Sequence, residues 1–179
     1  MSARSETIAN AITESLPLFE RYLAGFGDAN RTSQAPGLPN HAAWTLGHLA
    51  LYARRAADLV EGHDGPQPLP DTDFVTGDGR AGDARRFDTE SVCFGSTAVD
   101  DPAIYPAWDR CVGICRSGYE RLAHAVSGSS DARLDRAVAW GSTGCTAERL
   151  AARMVFHLGT HTGQLIDLRR GLGMPALFG

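Results

Sequence analysis

The sequence predicts an all-α protein, an antiparallel four-helix bundle with a long irregular connection between its second and third helices. Three observations predict it. Four segments, each of about twenty residues, carry apolar side chains at three- and four-residue steps, the period of a helix with one buried face. No stretch alternates for long enough to make a convincing strand. The region between the second and third segments is rich in Gly, Pro and Asp, which break regular structure.

The first helix is expected over Glu6–Phe26, where Ile8, Ile12, Leu16, Phe19, Leu23 and Phe26 form the stripe. Pro17 interrupts it and is expected to kink the helix or restart it, because proline removes a donor and crowds the preceding turn. The second helix is expected after Asn40, read as its N-cap, through His41 and Trp44 to Val60, with Gly62 as the stop. Trp44, His48, Leu51, Tyr52 and Leu59 share a face. His63–Ala103 is expected to be mostly irregular, with room for one short helical turn, and to cross the bundle or lie over one end as a lid. The third helix is expected over Tyr105–Val126, on the stripe Trp108, Val112, Cys115, Tyr119 and Leu122. A connection from Asp131 to Cys145 includes a short alternating piece, Leu134–Trp140. The fourth helix is expected from the N-cap Thr146 to Arg170, with Leu150, Met154, His157, His161, Leu165 and Leu168 on one face.

The chain has 179 residues, 43% of them hydrophobic, which suits one domain, 1–179, able to bury a core without staples. No apolar run approaches the ~18 residues a membrane span needs. Met1–Asn10 lacks the apolar centre of a secretion signal, so a cytoplasmic protein is expected, with no membrane partner. The net charge is −4, and no basic stripe is present, which argues against nucleic acid as a partner. All 17 cationic side chains are arginine, which excludes Schiff-base lysine chemistry. Four cysteines at irregular spacing do not make a disulfide framework, and Cys111 and Cys115 read as small buried hydrophobes.

Of six histidines, three carry chemistry. His157 and His161 are four apart, so they differ by about 40° around the helix and about 6 Å along it and can converge on one point. Both lie in the apolar stripe, so that point faces inward. His48 lies in the stripe of the second helix, flanked one turn each way by Trp44 and Tyr52. Three imidazoles from two helices can hold a metal on one side and leave positions open, as a catalytic site requires. Without an ion they would need polar partners that an apolar stripe does not offer. His41 lies about 10 Å up the axis, too far to share the ion, and is read as sitting at the helix start. His63 and His124 are expected in solvent.

At these residues the chain resembles the DinB-like, YfiT-like superfamily of metal-dependent proteins. The matching stretches are Asn40–Ala50, with Trp44-x-x-Gly47-His48, and His157–Leu165, with His157-x-x-x-His161-x-Gly163-Gln164. Tyr105-Pro106 and the tail Leu168–Pro175 also fit. The resemblance covers nearly the whole chain and implies a four-helix bundle with His48, His157 and His161 as ligands. It also implies homodimers and, in some branches, transfer of a low-molecular-weight thiol such as mycothiol or bacillithiol. Many relatives carry an acidic residue or a second histidine between the paired histidines, where this chain has Leu158, Gly159 and Thr160, so no general base is visible there.

The function expected is therefore a metal-dependent enzyme, with one divalent ion (Zn, Ni or Fe), moving a thiol to an electrophilic small molecule. A metal-dependent hydrolase and a non-catalytic metal or small-molecule binding bundle are the alternatives. Trp44, Tyr52, Gln164 and Arg153 are candidates for the pocket and for orienting the ligands.

Overall fold

A computed structural model describes residues 2–177. In chain order the elements are α1 (Ala3–Arg21), α2 (Ala42–Glu61), β1 (Phe74–Val75), β2 (Phe87–Asp88), α3 (Thr89–Val92), α4 (Trp108–Ser127), α5 (Asp131–Leu134), β3 (Ala137–Trp140), β4 (Thr143–Thr146) and α6 (Ala147–Gly171). A short 3₁₀ turn, Pro102–Ile104, precedes α4. Among the described residues no helix is long and apolar enough to cross a membrane.

The expected helices are present, with shifted ends. Ser2 caps α1 reciprocally with Ser5, so the helix begins at Ala3, three residues before the anticipated start. The helix ends at Arg21 rather than Phe26, although Leu23 and Phe26 still reach the core. Pro17 lies inside α1 without ending it. The N-cap of α2 is His41, not Asn40: its Nδ1 accepts from the Trp44 N–H at 3.1 Å. Gly62 ends α2 at φ 105°, a left-handed conformation that glycine adopts without strain. Thr146 caps α6 as expected.

The expectation of an all-α chain needs correction. β1 and β2 form a two-residue parallel ladder, and β3 and β4 form an antiparallel hairpin. The hairpin uses the alternation of Ala137–Trp140 and closes through Gly141-Ser142, with Gly141 at φ 59°, as the first position of a type II′ turn demands. The long connection contains the single helical turn anticipated there, α3.

The long helices neighbour one another in the order α1, α4, α2, α6 around a ring. Sequential helices are therefore not all neighbours, as a plain up-and-down bundle would have it. α1 and α2 lie across from each other, and residues 22–41 carry the chain between them. Ile12, Phe19, Leu46, Leu49, Ile114 and Leu150 are fully buried between them. Almost every side of α2 is covered, and its buried alanines allow close approach. Gly118 of α4 approaches so closely that a Cβ there would lie 3.0 Å from the Ala50 carbonyl oxygen. The remaining side of α2 is covered by the long connection. Arg54 pins it: its guanidinium donates to Asp73 at 2.6 Å, and Arg110 of α4 donates to the other oxygen of the same carboxylate at 2.5 Å.

Candidate metal centre

The two helices that carry the three histidines pack side by side, and the rings meet between them. His157 Nε2 lies 3.3 Å from His48 Nε2 and 3.1 Å from His161 Nε2. His48 and His161 are buried and His157 is half-buried. His48 Nδ1 lies 2.9 Å from the Val92 carbonyl oxygen. A carbonyl only accepts, so Nδ1 carries the proton and Nε2 presents a bare lone pair to the other two rings.

This arrangement fits a cation. Two nitrogens bound to one ion at about 2.0–2.1 Å and near-tetrahedral angles stand about 3.3 Å apart, close to both observed separations. Nδ1 of His157 and of His161 is buried and has no hydrogen-bond partner among the described residues. The three Nε2 atoms face one another rather than an outside acceptor, the arrangement that ligation of one shared ion through Nε2 would require.

Burial dominates the titration. It pushes His157 down to about 4, with help from the nearby His48, and His161 down to about 3, with help from His157 and His48, against a small opposing effect of Gln164. His48 is lowered by the same desolvation, opposed by its bond to Val92. All three are thus neutral near pH 7, the protonation state that a metal ligand needs.

Neighbouring side chains hold His48 in place. Trp44 stacks on it, centroids 4.6 Å apart and planes 16° off parallel, and the indole N–H donates to Ser96 Oγ at 3.0 Å. Tyr52 also packs against it, centroids 4.6 Å apart, and its hydroxyl oxygen accepts from the Phe94 N–H at 2.9 Å. Gly47 explains its own place before His48. A Cβ there would come within 2.7 Å of Phe87 and Val92, so only glycine lets the Val92 segment close on the imidazole.

His48 and His157 open onto a cavity of about 880 Å³, which runs between α2 and α6 toward the β3–β4 hairpin. Tyr52 and Arg153 are among the residues that line it. Trp44 is buried against His48 instead, and Gln164 is exposed and outside the cavity lining. His41 is fully buried as a helix cap, while His63 and His124 are exposed, as expected. Cys111 and Cys115 are buried and their thiols are pushed up by desolvation, which makes them inert packing groups.

Sequence reasoning missed the Val92 carbonyl, Ser96, Phe94, Arg55, Trp140 and Phe156. Val92, Phe94 and Ser96 lie in an aperiodic segment that gives no signal of what it packs against. The Gly141-Ser142 dipeptide after an alternating run is a hairpin signal and would have placed Trp140.

Residues 11–165 match the family model of the DinB superfamily. The crystal structure of a conserved protein from Enterococcus faecalis is similar in fold, with a TM-score of 0.66 at 12% identity, over 97% of this chain and 99% of that one. No curated protein matches the chain.

Proposed function

This chain belongs to the DinB superfamily, and from that premise we propose that His48, His157 and His161 hold one divalent metal ion in an enzyme that joins a low-molecular-weight thiol to an electrophilic small molecule. The observation that carries the reading is the gathering of three imidazole nitrogens, all within 4.8 Å of one another, beside an open cavity that His48 and His157 line. All-imidazole ligation suits Zn, Ni or Fe. An ion bound there would supply Lewis acidity, lowering the pKa of a thiol or a water that ligates it.

The chain's own residues supply position and enclosure. Val92 fixes the tautomer of His48, and Trp44 fixes its ring plane. His48 and His157 leave the open side toward the cavity, where a substrate would approach. The one carboxylate in the cavity lining, Asp64, sits beyond the end of α2 and is paired with Arg136 at 3.5 Å. With no base beside the histidines, a nucleophile that needs none once ligated is favoured, and a thiol meets that condition more fully than water.

Hydrolysis is the second reading, and Tyr52 favours it. Its oxygen already accepts from Phe94, so its O–H is free to donate into the cavity toward a leaving group. The open cavity weighs against a purely structural metal site, which would be closed. Cytoplasmic residence and a homodimer belong to the same proposal, and sedimentation velocity checks the second.

Elemental analysis of the purified protein beside the His48→Ala/His157→Ala variant tests the centre. About one equivalent of metal is expected in the first and none in the second; equal content would remove the site. Turnover of a chromogenic electrophile is expected only with added thiol. Equal turnover without thiol would favour hydrolysis.

A further inference from the structure

The cavity differs in chemistry along its length. At its inner end stand His48 and His157. Along its walls lie Tyr52, Trp140, Phe94 and Phe156, and the last two are 84% and 76% exposed. Two large phenyl groups left this open at one mouth are costly in water and offer an apolar ligand somewhere to bind.

Two arginines complete the wall. On α2, Arg55 follows His48 by two turns, about 10 Å along the axis; on α6, Arg153 precedes His157 by one turn, about 6 Å. The same cavity is lined by the C-terminal part of α2 and by the hairpin that leads into α6, so the helices run in opposite directions here. Both arginines are therefore displaced from the histidines toward the same end. Among the described residues at least nine arginines are ion-paired with a carboxylate, but Arg55 and Arg153 have no such pair. Arg55 lies over the Tyr52 ring, 5.4 Å from its centroid, a contact that leaves the guanidinium edge free to donate. Asp64, the only acidic residue in the lining, is engaged by Arg136.

We propose that this cavity binds an anionic small molecule with an apolar body, its carboxylate or phosphate held by Arg55 and Arg153 and its body laid along Tyr52, Trp140, Phe94 and Phe156. The inference rests on reading the three histidines as the reacting end. It then gives the substrate a polarity: the anionic group sits roughly 6–10 Å from the reacting atom and is not a metal ligand. Charge-assisted bonds from two guanidinium forks set the preference for an anion, and the aromatic wall sets the preference for an apolar chain.

Binding of octanoate, octyl phosphate, octan-1-ol and octylammonium is measured by calorimetry and by Trp140 emission, with Trp140→Phe as the optical control. Each is run on metal-stripped and on zinc-loaded protein. The expected result is that both anions bind at least tenfold more tightly than octanol in both forms, and that octylammonium binds more weakly than octanol. Arg55→Gln and Arg153→Gln each lower anion affinity about tenfold and leave octanol binding unchanged. The ratio of octanoate to octyl phosphate affinity identifies which head group the forks fit. Equal binding of octanol and the anions, or anion binding untouched in the double arginine variant, overturns the proposal. Failure of the protein to take up zinc, with anion preference intact in the stripped form, overturns the metal reading and spares the anion site. Normal zinc uptake without anion preference does the reverse.

Discussion

Replacing Gly47 with alanine tests how the long connection supports the proposed metal centre. The new Cβ would lie 2.7 Å from the Phe87 ring and from Val92 Cγ1, both fully buried and unable to swing away. Comfortable carbon contacts begin near 3.5 Å, so the neighbours must retreat by roughly 1 Å. The Val92 carbonyl is 2.9 Å from His48 Nδ1, and a retreat of that size stretches the bond beyond about 3.5 Å, where little of it survives. Overpacking costs about 1–3 kcal/mol, and exchanging glycine for alanine inside a helix returns about 1 kcal/mol. The variant should therefore be about 0–2 kcal/mol less stable in urea. Losing the group that orients a ligand typically weakens metal affinity about 10- to 100-fold, and zinc competition with a chromophoric chelator measures it. Gly159→Ala and Gly163→Ala are the controls. A Cβ at either position meets nothing within 4 Å, so each should gain about 0.5–1 kcal/mol with zinc affinity unchanged. Wild-type zinc affinity in Gly47→Ala would refute the argument that the connection orients His48.

Three further outcomes follow from the structure. Burial holds His41 down at about 4, against an ordinary value near 6.5, with smaller opposing effects from Val99 and Asp100 and a smaller lowering effect from Arg31. Its folded pKa is depressed, so its contribution is fully present above pH ~6.5 and is lost as pH falls toward ~4, about 3 kcal/mol in all. His41→Asn keeps a cap without the titration, and urea melts from pH 7 to 4 should show that much less acid sensitivity in the variant. Asp73→Ala leaves Arg54 buried with only Ser117 as a side-chain acceptor and should cost about 3–5 kcal/mol by chemical denaturation, part of it recovered by Arg54→Met. Ser96→Ala strips the acceptor from the Trp44 indole and should weaken zinc binding through His48 alone. In the His48→Ala background it should then have no further effect on zinc affinity, and additive losses would contradict that route.

How much of this was legible in the sequence depends on whether a feature is periodic. The stripes of Ile12 to Phe19 and of Leu150 to Leu168 announced their helices, because a buried helical face repeats. The four-residue step from His157 to His161 announced a convergent pair for the same reason. What the sequence hid is what crosses between segments. Propensity ranks Asn40 above His41 as a cap, yet the chain enters α2 one residue later and an imidazole nitrogen does the capping. Four residues of alternation at Ala137–Trp140 are too few to outweigh an expectation of helices, but a two-residue glycine turn is enough to close them. Arg55 was unremarkable among seventeen arginines until the fold set it on the cavity wall without a carboxylate.

The three imidazoles are not held in equal ways, and the difference assigns a role to the long connection. His157 and His161 share one helix, so the rise and rotation of α6 set their separation whatever lies around them. His48 comes from another helix and has to be aimed. The groups that aim it are the Val92 carbonyl and, through the Trp44 indole, the Ser96 hydroxyl, and both belong to the connection between α2 and α4. The same segment supplies Phe94 to the cavity wall and holds Tyr52 through its N–H. It is docked by the buried Arg54–Asp73 pair and braced internally by Asp88, whose carboxylate accepts from the N–H groups of Gly79, Ala81 and Glu90. α6 alone thus brings two of the proposed ligands together, and the aperiodic connection aims the third. Damage to its docking should reach the proposed metal centre before it reaches the packing of the helices.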